Sequence, residues 1–211
     1  MLRYVALGDS SGVGVGAAGE GYPELLFQRL KAEGYPVGIL NLSQSGATTR
    51  EVVGGQVQKA ASKSPHVVTL GVGANDLWKL VHVDTFRMNL KLIADHLERS
   101  GAEVIVSNIS DLSLAPVAAV VEAFIRIPRA MFHARLLQLN EALGALARRP
   151  RFTVVDLFNL SRAELAGPTG AELFCPDGFH PSAKGYQRWA ELLWPAVEAA
   201  AKRWRAAQPD A

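Results

Sequence analysis

The chain has 211 residues, of which 49% are hydrophobic and 20% are charged. This length and composition predict a single domain, residues 1–211, with a sizeable apolar core. The formal net charge of +2 excludes the strongly basic surface that would indicate a nucleic-acid partner.

Membrane and compartment signals are equally sparse. No apolar run approaches the roughly 20 residues that a membrane-spanning helix needs. A candidate reactive serine already stands at position 10, which leaves no room ahead of the fold for a secretory leader. The single cysteine, Cys175, excludes an internal disulfide and fits a reducing compartment. We therefore expect a cytoplasmic protein without a membrane span, and the sequence carries no signal for its oligomeric state.

Short β-branched runs alternate with longer helical patterns, which is typical of parallel strands joined by crossover helices. Five strands are predicted, over residues 4–8, 37–42, 67–72, 103–108 and 153–157. Helices are predicted from Pro23 to Gly34, from Thr48 or Thr49 through Gly54-Gly55, from Asp84 to before Gly101, from Arg129 to Arg149, and from Ser182 to Trp204 with a kink at Pro195. The pattern indicates an open α/β sheet.

Residues 112–127 form a strongly apolar segment between the fourth strand and the next helix. One interpretation is an ordinary helix that faces the core, because the apolar positions have helical spacing. The other is an apolar wall or lid over the substrate, in which Phe124 is a candidate substrate contact. The sequence leaves both open.

Four short blocks far apart in the chain carry the residue types that acyl-ester hydrolysis needs. Ser10 is a candidate nucleophile, His180 a candidate base for its proton, and Asp177 a candidate carboxylate to orient the imidazole. The backbone N–H groups of Ser10 and Gly46 and the side-chain amide of Asn75 are candidate donors to an oxyanion. The blocks are Gly8-Asp9-Ser10, Ser45-Gly46, Gly73-Ala74-Asn75-Asp76 and Asp177-Gly178-Phe179-His180.

The predicted topology gives these blocks a common location. Ser10, Gly46 and Asn75 each follow one of the first three strands, and ligands of open α/β sheets bind beyond the carboxyl ends of the strands. The turn with Asp177 and His180 then needs only to fold back over that edge of the sheet.

Together the blocks resemble those of the SGNH (GDSL) hydrolase family, whose four letters correspond here to Ser10, Gly46, Asn75 and His180. They occur in the family's order across residues 8–180. Ser11 stands where the family's name implies leucine, and it is a candidate substrate contact that would favour polar groups.

The resemblance implies a three-layer α/β/α sandwich with a flavodoxin-like, five-stranded parallel sheet in the order 2-1-3-4-5. It also implies a serine hydrolase that needs no cofactor and acts through an acyl-enzyme on a small-molecule ester or thioester. Esterase, lysophospholipase, thioesterase and carbohydrate deacetylase activities all occur in the family, so the acyl group, the leaving group and acyl transfer to an alcohol other than water stay open.

Two glycine-containing runs suggest other classes of protein. Gly8-Asp9-Ser10-Ser11-Gly12 satisfies the G-x-S-x-G elbow of α/β-hydrolases, but only one strand fits before it and that fold needs several. Gly14, Gly16 and Gly19 match G-x-G-x-x-G, which makes a dinucleotide- or phosphate-binding Rossmann-like module the alternative function. Its context is weak because the predicted helix begins later, at Pro23, and the second strand does not end in a ribose-binding acid.

The remaining reactive side chains favour structural roles. Cys175 lies five residues from His180 on the same loop, so we interpret it as a packing residue before a thiol nucleophile. Asp177 and His180 have no further His or Cys cluster to complete a metal shell, so no metal site is expected. We expect structural or solvent-facing roles for the other histidines, His66, His82, His96 and His133.

Overall fold

A computed structural model describes residues 1–125 and 128–208 of the chain; side chains at positions 120, 121 and 123–125 lie outside the description. Within these residues, five parallel strands form one sheet in the order β2-β1-β3-β4-β5, which confirms the predicted topology. Every strand starts and ends within two residues of its predicted bounds. The strands are β1 (Leu2–Gly8), β2 (Val37–Asn41), β3 (Val67–Gly71), β4 (Glu103–Ser107) and β5 (Phe152–Val155).

Helices connect these strands and cover both faces of the sheet. They are α1 (Ser10–Val13), α2 (Tyr22–Ala32), α3 (Thr49–Glu51), α4 (Val57–Ala61), α5 (Ala74–Trp78), α6 (Val83–Ser100), α7 (Pro116–Ile125), α8 (Arg129–Gly144), α9 (Leu157–Leu165) and α10 (Ala183–Ala206). None of the described helices combines the length and the apolar character that crossing a bilayer would take.

The alternating side chains of β1 show how the layers form. Val5 and Leu7 enter a core that includes α4, α6 and α8, whereas Tyr4 and Ala6 enter a second core with α2 and α10. Successive side chains of a strand point to opposite faces, so a strand that is apolar throughout is buried on both sides. The result is the predicted three-layer α/β/α sandwich.

Of the two predicted caps of α3, Thr48 is the one that precedes the helix, and it forms a capping box in which the Glu51 carboxylate accepts the Thr48 N–H at 2.8 Å. Two other helix ends differ from the sequence prediction. Asp84 is not the cap of α6, because the imidazole of His82 accepts its N–H. The predicted helix from Arg129 ends as an α-helix at Gly144 and continues as a 3-10 helix through Arg148.

Three short helices were absent from the prediction, and each follows the carboxyl end of a strand. They are α1 after β1, α5 after β3 and α9 after β5. The predicted fifth strand extends to Leu157, but the carboxylate of Asp156 accepts the N–H of Asn159 and begins α9 there. Two of these helices, α1 and α5, carry candidate site residues.

Candidate active site

Ser10 is presented by the sharp turn that ends β1. Gly8 has a φ of +151°, and a Cβ there would lie 2.2 Å from the carbonyl oxygen of Gly71, so only glycine fits. Asp9 then caps α1: its Oδ1 accepts the backbone N–H of Ser11 at 3.0 Å and the Ser11 hydroxyl at 2.8 Å. Ser10 is therefore the first residue of a helix at the carboxyl edge of the sheet.

The side chain of Gln56 holds the same turn from the other side. Its Oε1 accepts the N–H of Gly8 at 2.8 Å, and its Nε2 donates to the carbonyl of Gly8 at 2.9 Å. Gln56 is 2% exposed, so both bonds are made away from water. We did not predict this role, because Gln56 is one of two amide residues in this helical stretch and no sequence pattern distinguishes it from Gln58.

The structure brings Ser10, His180 and Asp177 together. Nε2 of His180 lies 3.1 Å from Oγ of Ser10, and Nδ1 of the same ring lies 2.6 Å from Oδ2 of Asp177. Both distances are within hydrogen-bond range. The imidazole therefore bridges a hydroxyl and a carboxylate that are 167 positions apart in the sequence.

The turn that carries Asp177 and His180 is built from its own hydrogen bonds. Oδ1 of Asp177 accepts the backbone N–H groups of Phe179 at 2.8 Å and of His180 at 2.9 Å, and the thiol of Cys175 donates to it at 3.0 Å. Gly178 has a φ of +68°, which favours glycine. These bonds leave Oδ2 of Asp177 for the imidazole.

Electrostatics keep this carboxylate ionised. Burial alone would raise the pKa of Asp177, but hydrogen bonds from His180, from Cys175 and from two backbone N–H groups outweigh it and hold the pKa well below its usual value. An ionised carboxylate at Nδ1 fixes the imidazole with its proton there and leaves Nε2 as the acceptor that faces Ser10.

The Cys175 thiol has a different environment from a reactive cysteine. Burial is the main reason that its pKa is raised, and the hydrogen bond to Asp177 adds to the effect. A ligand atom of Cys175 lies within 4.8 Å of those of Asp177 and His180, the spacing of a metal cluster. Cys175 and His180 instead both hydrogen-bond to Asp177, and these bonds hold the turn together.

The candidate oxyanion donors lie on α1, on the loop between β2 and α3 and on α5, and hydrogen bonds join that loop to α5 and the residue after it. Among the described residues, neither the N–H of Ser10 nor that of Gly46 has an acceptor. The side-chain amide of Asn75 donates to the carbonyl of Ala47 at 3.0 Å, and Lys79 donates to the carbonyl of Gly46 at 2.8 Å. One N–H of the Asn75 amide is thus committed to the loop, which orients the other.

Asp76 strengthens the same junction. Its carboxylate accepts the backbone N–H of Thr49 at 3.0 Å and the Thr49 hydroxyl at 2.6 Å. Burial raises the pKa of Asp76, although the hydrogen bonds from Thr49 oppose the shift. Asp76 therefore stabilises the loop between β2 and α3 rather than facing a ligand.

An aromatic group connects the base to the helix that carries Asn75. The ring of Phe179 lies edge-on to that of His180, with centroids 4.8 Å apart, and edge-on to that of Trp78 at 5.3 Å. Trp78, the last residue of α5, also contacts Phe132 of α8 at 4.9 Å. Sequence reasoning gave Phe179 no role; its only signal was a large aromatic residue inside a polar, exposed turn.

The glycine run at Gly14, Gly16 and Gly19 packs against the histidine turn. All three have positive φ, and a Cβ on Gly16 would lie 2.8 Å from the carbonyl of Pro181 and 3.0 Å from Sγ of Cys175. The run does not open a helix, because α2 begins at Tyr22. The helix N-terminus that a dinucleotide-binding fingerprint requires is therefore missing from this position.

Ser11 and Phe124 are the two residues that the sequence suggested as substrate contacts. Ser11 lines the cavity next to Ser10 and its hydroxyl donates to Asp9, so its predicted substrate contact stays a prediction. Phe124 belongs to α7, but its side chain lies outside the description, so its predicted substrate contact stays a prediction.

The other histidines lie in structural contacts. Nδ1 of His66 accepts the N–H of Arg3 at 3.0 Å, and His82 precedes α6. His96 lies 2.8 Å from the carbonyl of Leu92, and His133 lies 3.2 Å from Oγ of Ser113. These contacts agree with the expectation for all four.

A cavity of about 100 Å³ begins at Ser10 and His180 and continues between the carboxyl edge of the sheet, α9 and α10. A parallel sheet in this strand order, with a serine, an imidazole and a carboxylate at its carboxyl edge and a cavity beside them, defines the class of protein: a three-layer α/β/α sandwich with a candidate serine-hydrolase site.

Comparison with known proteins gives the family. The model of the GDSL-like lipase/acylhydrolase family matches residues 6–188. The chain is 26% identical to Esterase TesA of Pseudomonas aeruginosa, over 92% of this chain and 87% of that protein. It is 29% identical to a GDSL-like esterase of Mycobacterium tuberculosis, over 93% of this chain but only 62% of that relative. The chain therefore belongs to the GDSL-like lipase/acylhydrolase family, a family of ester hydrolases, as the sequence motifs predicted.

Solved structures agree on the fold. A crystal structure of TesA matches with a TM-score of 0.75 at 24% identity, covering 94% of this chain and 99% of that one. A lipase/acylhydrolase from Enterococcus faecalis matches with a TM-score of 0.73 at 23% identity, covering 96% and 97% of the two chains.

Proposed function

We propose that this protein cleaves small-molecule carboxylic esters or thioesters through an acyl-enzyme on Ser10. The observation that carries the proposal is the continuous contact from Oγ of Ser10 through the ring of His180 to Asp177, with distances of 3.1 and 2.6 Å. A serine hydroxyl becomes an effective nucleophile when a neighbouring base accepts its proton during attack.

In the acylation step, Oγ of Ser10 attacks the carbonyl carbon while its proton moves to Nε2 of His180. Asp177 stabilises the imidazolium that forms. The carbonyl oxygen becomes an oxyanion, to which the N–H groups of Ser10 and Gly46 and the second amide N–H of Asn75 donate. His180 then gives its proton to the departing alcohol or thiol as the carbonyl re-forms.

In the second step, a water molecule replaces the alcohol. His180 takes a proton from the water, and the resulting hydroxide attacks the acyl carbon. The second tetrahedral intermediate uses the same donors, and it collapses when Ser10 leaves with the proton from His180. The products are a carboxylic acid and free enzyme, and the full cycle needs no external cofactor.

The test is covalent labelling with a fluorophosphonate probe, followed by mass spectrometry of the modified peptide. We expect the label on Ser10, no label in Ser10→Ala, and a loss of ester hydrolysis on the order of 10⁴- to 10⁶-fold in that variant. Ser11→Ala is the control, because it removes the adjacent hydroxyl and keeps Ser10. Labelling at another residue, or full activity in Ser10→Ala, would refute the proposal.

Two broader statements accompany this proposal. Residues 1–211 form one catalytic domain, which is supported by the packing of the described elements around one sheet. The cytoplasmic location stays a prediction.

A further inference from the structure

Two helices that carry none of the four motif blocks, α9 and α10, form walls of the cavity beside Ser10. Leu157 and Leu165 of α9 line one wall, and Trp189 and Leu192 of α10 line another, with Ser10 and His180 at one end. Gly185, Arg188, Trp189 and Leu192 have the spacing of one helix face, so the cavity follows α10 for about 10 Å at 1.5 Å of rise per residue.

Several polar side chains along this cavity are already hydrogen-bonded within the protein, although the indole Nε1 of Trp189 is buried without a partner among the described residues. The hydroxyl of Ser161 donates to the carbonyl of Leu157 at 2.5 Å, and the amide of Asn108 donates to Asp156 at 2.7 Å. Nε of Arg188 donates to both carboxylate oxygens of Glu164, at 2.8 and 2.9 Å, which ties α10 to α9. A ligand group in this part of the cavity therefore meets mainly apolar surface, which favours a hydrocarbon chain over a sugar or a charged group.

We propose that this cavity takes a short, unbranched hydrocarbon chain of the ester substrate. The inference rests on the proposed function, because the chain enters beside the nucleophile. An apolar cavity of ~150 Å³ holds the six carbons of benzene, so the volume of about 100 Å³ here suits a chain of about four carbons. The side chains of Leu165 and Leu192 line the cavity and are half-buried, so larger side chains at these positions would reduce the space for a chain.

Two parts of the ester have this chemistry, the acyl chain and the alkyl chain of the alcohol. The cavity is next to both Ser10, which receives the acyl group, and His180, which protonates the alcohol. The experiment therefore needs two arms. One arm uses nitrophenyl esters of acetate, butanoate and hexanoate; the other uses ethyl, butyl and hexyl acetates.

The decisive variant is Leu165→Phe, which adds volume inside the cavity on α9. Its matched control is Leu160→Phe, the same substitution on the same helix at a position that is 51% exposed and does not line the cavity. Leu192→Phe narrows the cavity from α10 and covers the case in which Leu165→Phe does not fold. Thermal unfolding of each variant checks its folding.

In the unmodified protein, we expect kcat/KM to rise ~4-fold per methylene, up to a chain of about four carbons, in one of the two arms, the equivalent of about 0.8 kcal/mol of apolar burial. The ratio of the four-carbon to the shortest substrate should fall at least about tenfold in Leu165→Phe or Leu192→Phe. It should stay at the wild-type value in Leu160→Phe.

The arm in which the ratio changes identifies the chain that the cavity holds. The inference is overturned if folded Leu165→Phe and Leu192→Phe keep the wild-type ratio in both arms. That result is separable from failure of the proposed function, in which Ser10 is not labelled and the unmodified protein hydrolyses none of the esters.

Discussion

The nucleophile and its base are held in place by different means. Ser10 and Asp9 are 6% and 4% exposed, and the turn that precedes them is fixed by buried contacts with Gly71 and Gln56. The side chains of His180 and Asp177 are 20% and 47% exposed, and their turn depends mainly on local hydrogen bonds and on the aromatic contacts of Phe179 with His180 and Trp78. Ser10, the proposed nucleophile, is positioned by the whole fold, whereas His180, its proposed base, is positioned mainly by the contacts of its own turn.

Because the two regions are held differently, we expect substitutions in them to have different effects on catalysis and on the stability of the fold. Because few buried contacts depend on the Asp177 turn, changes there should reduce catalysis much more than folding. Changes beneath Ser10 disturb buried hydrogen bonds and should affect both.

The largest expected effect is that of Asp177→Asn. The neutral amide keeps the size of the side chain but no longer favours the tautomer that presents Nε2 to Ser10, and we expect kcat to fall on the order of 10⁴-fold. The thermal unfolding midpoint at neutral pH should fall only modestly, because the stabilising contribution of the ionised carboxylate is screened by solvent at a side chain that is 47% exposed. Asp84→Asn, an exposed carboxylate on α6, is the matched control. A large loss of stability in Asp177→Asn would break the distinction between the two regions.

Asn75→Ala should have the next largest effect. Loss of one oxyanion donor lowers kcat by roughly 10²- to 10³-fold. The acyl-enzyme should still form slowly, since Ser10 and His180 are unchanged, and a fluorophosphonate should still label Ser10. Asn159→Ala, an exposed amide at the start of α9, is the control. If kcat in Asn75→Ala equals that of the control, Asn75 has no part in the oxyanion site.

The two regions also differ in how far the sequence predicted them. Ser10, Gly46 and Asn75 were predicted to share one edge because each follows a strand and parallel strands end together, and the His180 contact with Ser10 followed from the family resemblance. The pairing of Gln56 with Gly8 and of Phe179 with Trp78 could not be predicted. These contacts depend on side-chain rotamers and on helix positions that no local pattern encodes.

The short helices were missed for a related reason. A helix such as α1 or α5 has four or five residues, too few for a 3.6-residue apolar period to appear. Their formation depends instead on caps and on a glycine with positive φ, as at Asp9 and Gly73. The residues of the cavity wall could not be predicted either. In the sequence Leu165 and Leu192 look like any other leucines in a helix, and only tertiary packing places them in the cavity with Ser10.

Phe179→Ala should have a smaller effect on catalysis, and it tests whether the ring of Phe179 positions His180. An edge-to-face aromatic pair contributes about 0.5–1.5 kcal/mol, so we expect kcat to fall roughly 2- to 12-fold as the imidazole samples other orientations. Phe179→Tyr keeps an aromatic ring and should restore most of the rate. If alanine and tyrosine lower kcat equally with an unchanged unfolding midpoint, the ring does not position His180.

The smallest expected effect is on the pH dependence of stability, where the two regions should differ in sign. The folded-state pKa of Asp177 is lowered, so its ionisation stabilises the fold above its unfolded pKa of about 3.9, and this contribution is lost as the pH falls below that value. Burial raises the pKa of Asp9, and the hydrogen bonds from Ser11 only partly oppose the shift. The effect of Asp9 on stability is therefore the reverse: the free energy of unfolding declines as the pH rises from about 3.9 through the folded-state pKa of Asp9.

Urea unfolding midpoints measured from acid to neutral pH test these opposite pH dependences. Asp177→Asn should flatten the loss of stability in acid, whereas Asp9→Asn, in which asparagine still caps α1, should gain relative stability toward neutral pH. Curves for the two variants that shift in parallel would contradict the opposite electrostatic environments of the nucleophile and the base.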